Sequence, residues 1–286
     1  MTDVGIEGFL ARMRLSGSSA ESIGSRRRFL RRLDAALPVP LGDATAAHLA
    51  AWRESLTVGD RALNCYVSYA RTYYRWLIDE GARIDNPAGR LLVPRLGRLL
   101  PRPISDADLA DALAAAPPRI RIWLVLACWC GLRAKEIALL RRESIIDTAR
   151  SPLLIVTAIA TKGHAEERSI PLCPFVLGEL AIYGLPASGY AFRRLDGALG
   201  PNTAQRVSQI ASDYLHSRDI SATFHMGRHW FGTGAYGATR DLRLVQELLG
   251  HKSPLSTAGY AAYDSSSAAA AVQALPLPEQ LLRAAG

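Results

Sequence analysis

The chain has 286 residues, of which 49% are hydrophobic and 21% charged, so it is long enough for two globular domains with cores of their own. Its formal net charge of +8 favours a polyanionic partner over the alternative of a merely basic protein. The sequence shows neither a signal peptide nor an apolar run of transmembrane length, and its four cysteines lack the paired spacing of zinc sites or disulfide frameworks. We therefore expect a protein of the reducing cytoplasm.

The N-terminal part is predicted to be all-helical. Apolar residues at helical spacing indicate helices over residues 3–15, 43–56 and 59–80, and a further helix that begins after Ser18 or Ser19. An aromatic row on the last of these helices, Tyr66 to Trp76, fits a hydrophobic core better than a platform for stacked bases. The arginines of the second helix form either a solvated face or a stripe that contacts phosphates. They are Arg26, Arg27, Arg28, Arg31 and Arg32.

A stretch rich in proline and arginine divides the chain. Residues 93–103 hold three prolines and three arginines, a composition that favours a linker. We expect Arg95, Arg98 and Arg102 to pass close to the partner's negative charges. The predicted organisation is a helical domain over 1–90, a basic linker over 91–104, a second domain over 105–264 and a C-terminal tail over 265–286.

The second domain is predicted to begin with helices. Ser105 suits an N-cap, and the apolar residues 118–130 predict a buried helix that Gly131 ends. The next helix places Arg133 in its first turn, where free N–H groups favour an anion. Glu136, three residues further on, either braces the Arg133 guanidinium or forms an ordinary surface ion pair with it.

A β-hairpin follows. Residues 153–159 and 168–172 have the composition of strands, and the turn at 161–164 places Lys162 near the tip. A lysine at a hairpin tip is usually an exposed side chain, but lysine can lose its proton where arginine cannot, so proton donation is the alternative. Helices are predicted for the remaining ordered part of the chain, over 174–183, 201–218, 225–237, 240–249 and 254–263.

Chemically active side chains are concentrated in the last three helices. Histidines such as His225 and His251 exchange protons near neutral pH, Arg228 can bind phosphate oxygens through paired hydrogen bonds, and Tyr260 can act as a nucleophile. The alternatives are a polar helix surface and, for His225 with His229, a zinc pair. No acidic cluster is present to hold a metal, and Arg228 would repel a cation.

These motifs resemble, in order, those of the tyrosine site-specific recombinases, also called the phage integrase family. The segment from Cys130 to Ile137 is similar to the family's first arginine box, T-G-L-R-x-x-E-L, with cysteine in place of threonine. Thr161-Lys162-Gly163 resembles the hairpin lysine motif. The segment from His225 to His229 resembles the H-x-L-R-H box, with Gly227 in place of leucine.

The nucleophile's motif matches in its spacing. Leu249-Gly250-His251 is followed nine residues later by Tyr260, as in the family's L-G-H…Y box, and this spacing favours Tyr260 over Tyr263. The preceding residues depart from the usual Thr-Thr pair, since Ser256 stands before Thr257.

The resemblance implies a catalytic site made of Arg133, Lys162, His225, Arg228, His251 and Tyr260. Tyr260 would attack a DNA phosphate and leave a 3′-phosphotyrosyl bond and a free 5′-hydroxyl, which Lys162 would protonate. His225 would shuttle the tyrosine proton. The two arginines would clamp the non-bridging oxygens, His251 would bind the phosphate, and Glu136 would orient the arginines.

The resemblance also implies a fold, a set of partners and no cofactor. A helical N-terminal domain and a mixed α+β catalytic domain, mainly α with a small antiparallel sheet, would close on DNA as a C-shaped clamp. The partners would be double-stranded core sites with inverted repeats, bound by four protomers that exchange strands through a Holliday junction in a bacterial or phage-infected cell, next to the nucleoid. The tail would dock on a neighbouring protomer, with packing on its own domain as the alternative. A type IB topoisomerase and a catalytically silent DNA-binding protein are the alternatives.

Overall fold

The computed structural model of the protein describes residues 5–97, 100–146, 152–157, 167–194, 197–198, 200–251 and 253–263. The chain divides into two compact units, Met1–Arg98 and Leu99–Gly286, so the division falls inside the predicted linker. Both units are mainly helical in their described residues, and a small antiparallel sheet lies in the second, as predicted.

The described residues of the first unit form four α-helices. Its helices are α1 (Ile6–Leu15), α2 (Ala20–Ala36), α3 (Ala46–Glu54) and α4 (Asp60–Asp79). The Ser19 hydroxyl caps α2 by accepting the N–H of Ser22 at 3.2 Å. Tyr73 and Trp76 of α4 are buried, and both rings lie 5.5 Å from the ring of Phe9. The aromatic row is therefore core at this end of α4, as predicted.

The second unit packs helices around a three-stranded antiparallel sheet. The helices are α5 (Asp106–Ala115), α6 (Pro118–Trp129), α7 (Ala134–Ala138), α8 (Pro174–Tyr183), α9 (Ala204–Ser217), α10 (Phe224–Thr239), α11 (Leu242–Leu249) and α12 (Pro254–Tyr263). The strands are β1 (Ile145–Ile146), β2 (Leu153–Val156) and β3 (Arg168–Pro171), in the order β1-β2-β3. Buried Leu154 pairs with buried Ile170 across β2 and β3.

The strand predictions differ from this fold at two places. Strand β1 was not predicted, because two residues are too few to show a strand period. The strand predicted over 153–159 is a strand over 153–156, and the remainder from 158 onwards, with the predicted turn at 161–164, lies outside the described residues. The N-cap at Ser105 is confirmed, since its hydroxyl accepts the N–H of Asp108 at 3.0 Å.

Helices α6 and α10 approach each other closely at Gly227. Side chains of α6 from Ile122 to Cys128 are all buried, as predicted for this apolar helix. A Cβ added at Gly227 would lie 2.9 Å from the Sγ of Cys128 and 3.3 Å from the Cβ of Ala127. Helix α6 therefore leaves no room for a larger side chain at position 227, where the family's motif has leucine.

We predict that Gly227→Leu lowers the free energy of unfolding by about 1–3 kcal/mol, the usual cost of overpacking a core. Gly234→Leu on the same helix is the control, because a Cβ there meets nothing within 4 Å. That control should be neutral or slightly stabilising, since leucine favours helices more than glycine does. Thermal unfolding of the two variants tests this, and equal melting temperatures for Gly227→Leu and the unmodified protein would contradict it.

Candidate active site

The site is assembled around the short helix α7. Gly131 precedes it with a φ of 61°, and a Cβ added there would lie 2.5 Å from the ring of Phe231, so this turn requires glycine. Arg133 is the N-cap residue: its N–H donates to Oε2 of Glu136 at 2.8 Å, and its Nη1 donates to Oε1 at 2.9 Å. Glu136 is only 2% exposed. The carboxylate of the pair is therefore buried, while Arg133 is partly exposed, so the pair is not an ordinary surface ion pair.

Arg228 of α10 lies deeper in the same cluster. It is 2% exposed, and its guanidinium donates to the carbonyl oxygens of Gly131 and Leu249. Its Nη1 is 3.8 Å from Oε2 of Glu136. Burial, reinforced by the charge of Arg133, lowers the pKa of Arg228 to about 9, so the side chain is still cationic at neutral pH.

Arg168 of β3 completes the cluster, and sequence reasoning missed its role. Its Nη1 and Nη2 donate to the two oxygens of Glu136 at 3.0 and 2.8 Å, and its Nε donates to the carbonyl of Leu248 at 2.8 Å. Burial by itself raises the pKa of Glu136, but the hydrogen bonds and charge of Arg168, with the charges of Arg228 and Arg133, bring it below its usual value. The sequence offered one indication of this role: a charged residue at the start of a short strand.

Two histidines lie next to the arginines. The ring of His225, in the first turn of α10, is 4.8 Å from the ring of His229, and burial followed by the charges of His229 and Arg228 lowers the pKa of His225 to about 4. His251 follows α11, and its Nδ1 is 2.9 Å from Oγ1 of Thr257. Burial, then the charges of Arg228 and its neighbouring arginines, lowers the pKa of His251 to about 3. Both imidazoles are therefore neutral at pH 7.

Tyr260 of α12 is buried against α10. Its exposure is 3%, and a Cβ added at Gly232 would overlap its ring, so Gly232 makes room for the tyrosine. The Tyr260 ring lies 6.4 Å from the ring of His251 and nearly parallel to it, and 6.5 Å from the ring of His229. Burial raises the pKa of Tyr260, and the charges of Arg228 and Arg133 partly oppose that rise.

The structure therefore brings together five of the six predicted catalytic residues with Glu136. The sixth, Lys162, lies outside the described residues, as do Arg98 and the predicted tail. Thr257 and Gly232 were not predicted to support the site; Thr257 carried a signal, since it belongs to the stretch that precedes the tyrosine. Across the described part of the chain, no three His, Cys, Asp or Glu side chains are grouped as a metal ion would require, and no helix is long and apolar enough to span a membrane.

The predicted DNA-contacting arginines of α2 have several surroundings. Arg27 and Arg31 both pair with Glu7 of α1, at 2.9 and 3.2 Å. Arg26 stacks on the ring of Tyr69, with its guanidinium carbon 3.5 Å from the ring centre. Of the other α2 arginines, Arg32 lies over the ring of Tyr66 and Arg28 donates to the hydroxyl of Ser25. In the predicted linker, Arg95 and Arg102 are exposed.

Comparison with known proteins identifies the class. The profile of the phage integrase family matches residues 105–266. "Tyrosine recombinase XerC" of Rhodospirillum centenum is 34% identical over 251 residues, which are 80% of this chain and 71% of that protein. The Tn1549 transposon integrase in complex with a circular intermediate DNA has a similar fold, with 17% identity, a TM-score of 0.73, and coverage of 95% of this chain and 99% of that one.

A further solved structure has the same fold. It is a lambda integrase tetramer bound to a Holliday junction, with 19% identity, a TM-score of 0.67, and coverage of 87% of this chain and 76% of that one. On the strength of the family match and the identity to its relative, this chain belongs to the phage integrase family. It is a tyrosine recombinase, an enzyme that breaks and rejoins DNA strands, and the resemblance seen in its motifs is confirmed.

We predict that His251 stays neutral in the free protein between pH 8 and 5. The unfolded chain takes up that proton near pH 6.5 and the folded chain near pH 3, so this histidine's contribution to stability is full above 6.5 and declines as the pH falls towards 3. The measurement is an NMR titration of the protein with ¹³C-labelled histidine, in which His251→Gln assigns the resonance among the six histidines. A His251 midpoint near 6.5 would show that the burial and the arginine charges do not act as argued.

Proposed function

We propose that this protein is a site-specific recombinase that cleaves DNA through a 3′-phosphotyrosyl intermediate and exchanges strands through a Holliday junction. The observation that carries the proposal is the buried Glu136 cluster, which holds Arg133 and Arg228 beside His251 and Tyr260. Strand exchange, rather than simple relaxation, is the outcome that distinguishes it from a type IB topoisomerase, which would relax a plasmid that lacks any recombination site.

The arginines would bind the scissile phosphate. Arg133 is partly exposed and anchored on Glu136, so its guanidinium is held in position before DNA arrives. Together with buried Arg228 it would donate to the non-bridging oxygens and offset the charge that grows on them in the transition state. Neutral His251, its ring held by Thr257, would donate a further hydrogen bond to the phosphate.

Proton transfers would accompany the two bond changes. As the oxygen of Tyr260 forms its bond to phosphorus, its proton would pass to His225, and as the bond to the 5′-oxygen breaks, Lys162 would protonate that oxygen. The cleavage is a transesterification, so it needs no oxidant and no nucleotide cofactor such as ATP. A phosphate bound at the arginines cancels part of the positive charge that depresses the pKa of His225, and DNA binding would therefore make this histidine a better base.

The proposed substrate is a pair of double-stranded core sites with inverted repeats, bound by four protomers. The residues 1–90 would bind the core site through the arginines of α2, supported by Arg95, Arg98 and Arg102 in the linker 91–104, and residues 105–264 would carry the chemistry. Residues 265–286 would dock on the neighbouring protomer. The basic net charge of +8 supports a nucleic-acid partner. The protein would act in the cytoplasm, close to the nucleoid.

We predict that Tyr260 alone forms the covalent bond to DNA. The target is first recovered by incubating the protein with fragmented genomic DNA of the source organism and collecting the fragments that stay attached in detergent. On a nicked suicide substrate of that sequence, Tyr260→Phe should form no covalent complex. Tyr263→Phe is the matched control and should form it at the unmodified rate. Loss of the complex in the control, with retention in Tyr260→Phe, would reverse the assignment.

We predict that Lys162→Ala slows cleavage by roughly 10²–10⁴, the usual value of positioned proton transfer. A 5′-bridging phosphorothiolate leaves without a proton, so it should restore most of the lost rate. Arg133→Ala is the control: its role is at the non-bridging oxygens, so the same substrate should not rescue it. Equal rescue of both variants, or of neither, would exclude Lys162 as the general acid.

A further inference from the structure

Arg168 is bound more fully than an ordinary strand residue. Its side chain is 8% exposed, and three of its nitrogens donate hydrogen bonds, two to the carboxylate of Glu136 and one to the carbonyl of Leu248. Strand β3 is thereby joined both to α7, which carries Glu136, and to the end of α11, which precedes His251.

We propose that Arg168 is a positioning residue, which fixes the carboxylate of Glu136 so that Arg133 and Arg228 are presented to the scissile phosphate in the correct geometry. This inference rests on the proposed function. Glu136 has two oxygens, and each of them accepts from Arg168 while also accepting from Arg133 or facing Arg228. If Arg168 is removed, the carboxylate loses two of its four hydrogen bonds and keeps only those from Arg133. Its position, and with it the positions of the Arg133 and Arg228 guanidiniums, is then less firmly fixed.

The site is shaped to take a guanidinium at this position. Gly250 has a φ of 60°, and a Cβ added there would lie 2.9 Å from Nη1 of Arg168. Only a planar group with three divergent donors can reach the two oxygens of Glu136 and the carbonyl of Leu248 together. A lysine would keep the charge and lose this geometry, so the two contributions are separable by mutation.

The chain contains a matched control. Arg121 of α6 forms the same kind of bidentate pair with buried Glu179 of α8, with Nε and Nη2 donating at 2.8 and 2.5 Å. Its hydrogen bonds involve none of the active-site residues. Arg121→Met therefore breaks an equivalent pair in the same unit, and any effect that it shares with Arg168→Met is one of stability alone.

The experiment measures the rate of covalent complex formation on the recovered target, under single-turnover conditions with saturating protein, between pH 5.5 and 8. A displacement of about 1 Å of a positioning group can cost roughly 100-fold. We expect Arg168→Met to be about 10–100-fold slower at pH 8 than the unmodified protein, with equal DNA binding in gel-shift titrations. Arg121→Met should cleave at the unmodified rate at a temperature where both variants are folded.

The pH profile separates positioning from a general loss of structure. Without Arg168 the pKa of buried Glu136 rises, so the rate of Arg168→Met relative to the unmodified protein should fall further as the pH is lowered. Arg168→Lys should be slow at every pH without that additional fall, because it keeps the charge. In the Glu136→Gln background, Arg168→Met should cause little further loss, because the group that it positions is gone.

Rates equal to the unmodified protein in Arg168→Met, or the same loss in Arg121→Met, would overturn the inference. So would an undiminished effect of Arg168→Met in the Glu136→Gln background. These failures differ from failure of the proposed function, in which the unmodified protein itself would form no covalent complex with DNA.

Discussion

The active site depends on one buried carboxylate. Glu136 faces three guanidiniums, those of Arg133, Arg168 and Arg228, and two of these are themselves almost fully buried. Buried cations are costly unless they are paired, and one carboxylate cannot neutralise three of them. The cluster therefore keeps an excess of positive charge in a region of low dielectric, where an anion is strongly favoured. A DNA phosphate has the charge that this arrangement lacks.

The arrangement is possible because three glycines leave room for side chains of neighbouring elements. Gly131 lies against Phe231, Gly232 against Tyr260, and Gly250 against Arg168, and each contact would be too short with a Cβ in place. The guanidinium of Arg228 donates to the carbonyl oxygens at two of these places, those of Gly131 and of Leu249, which precedes Gly250. Glycine here sets distances between helices, and those distances bring an arginine of α10 to a carboxylate of α7.

The sequence predicted the parts of the site that are encoded locally. Arg133 and Glu136 lie three residues apart, and His251 and Tyr260 have a fixed spacing. Their motifs are therefore recognisable from the sequence alone. The contact of Arg168 with Glu136 joins residues 32 positions apart, and no periodicity or composition indicates such a pair. Strand β1 was too short to be seen. The arginines of α2 were predicted as a stripe, whereas their partners Glu7, Tyr66 and Tyr69 come from other helices.

The protonation states of the DNA-free site suit a mechanism in which the bound phosphate activates the catalytic groups. His225 and His251 are neutral because burial and the arginines disfavour a further positive charge, and Tyr260 holds its proton because burial disfavours the phenolate. In the proposed mechanism a bound phosphate would oppose the charge of the arginines, so it would favour protonation of His225 and transfer of the tyrosine proton to it. Tyr260 would then give up its proton and form the bond to phosphorus. In the proposed mechanism the nucleophile would thus be weak in the absence of DNA and would become reactive only where a phosphate is held by both arginines, which would confine covalent chemistry to bound DNA.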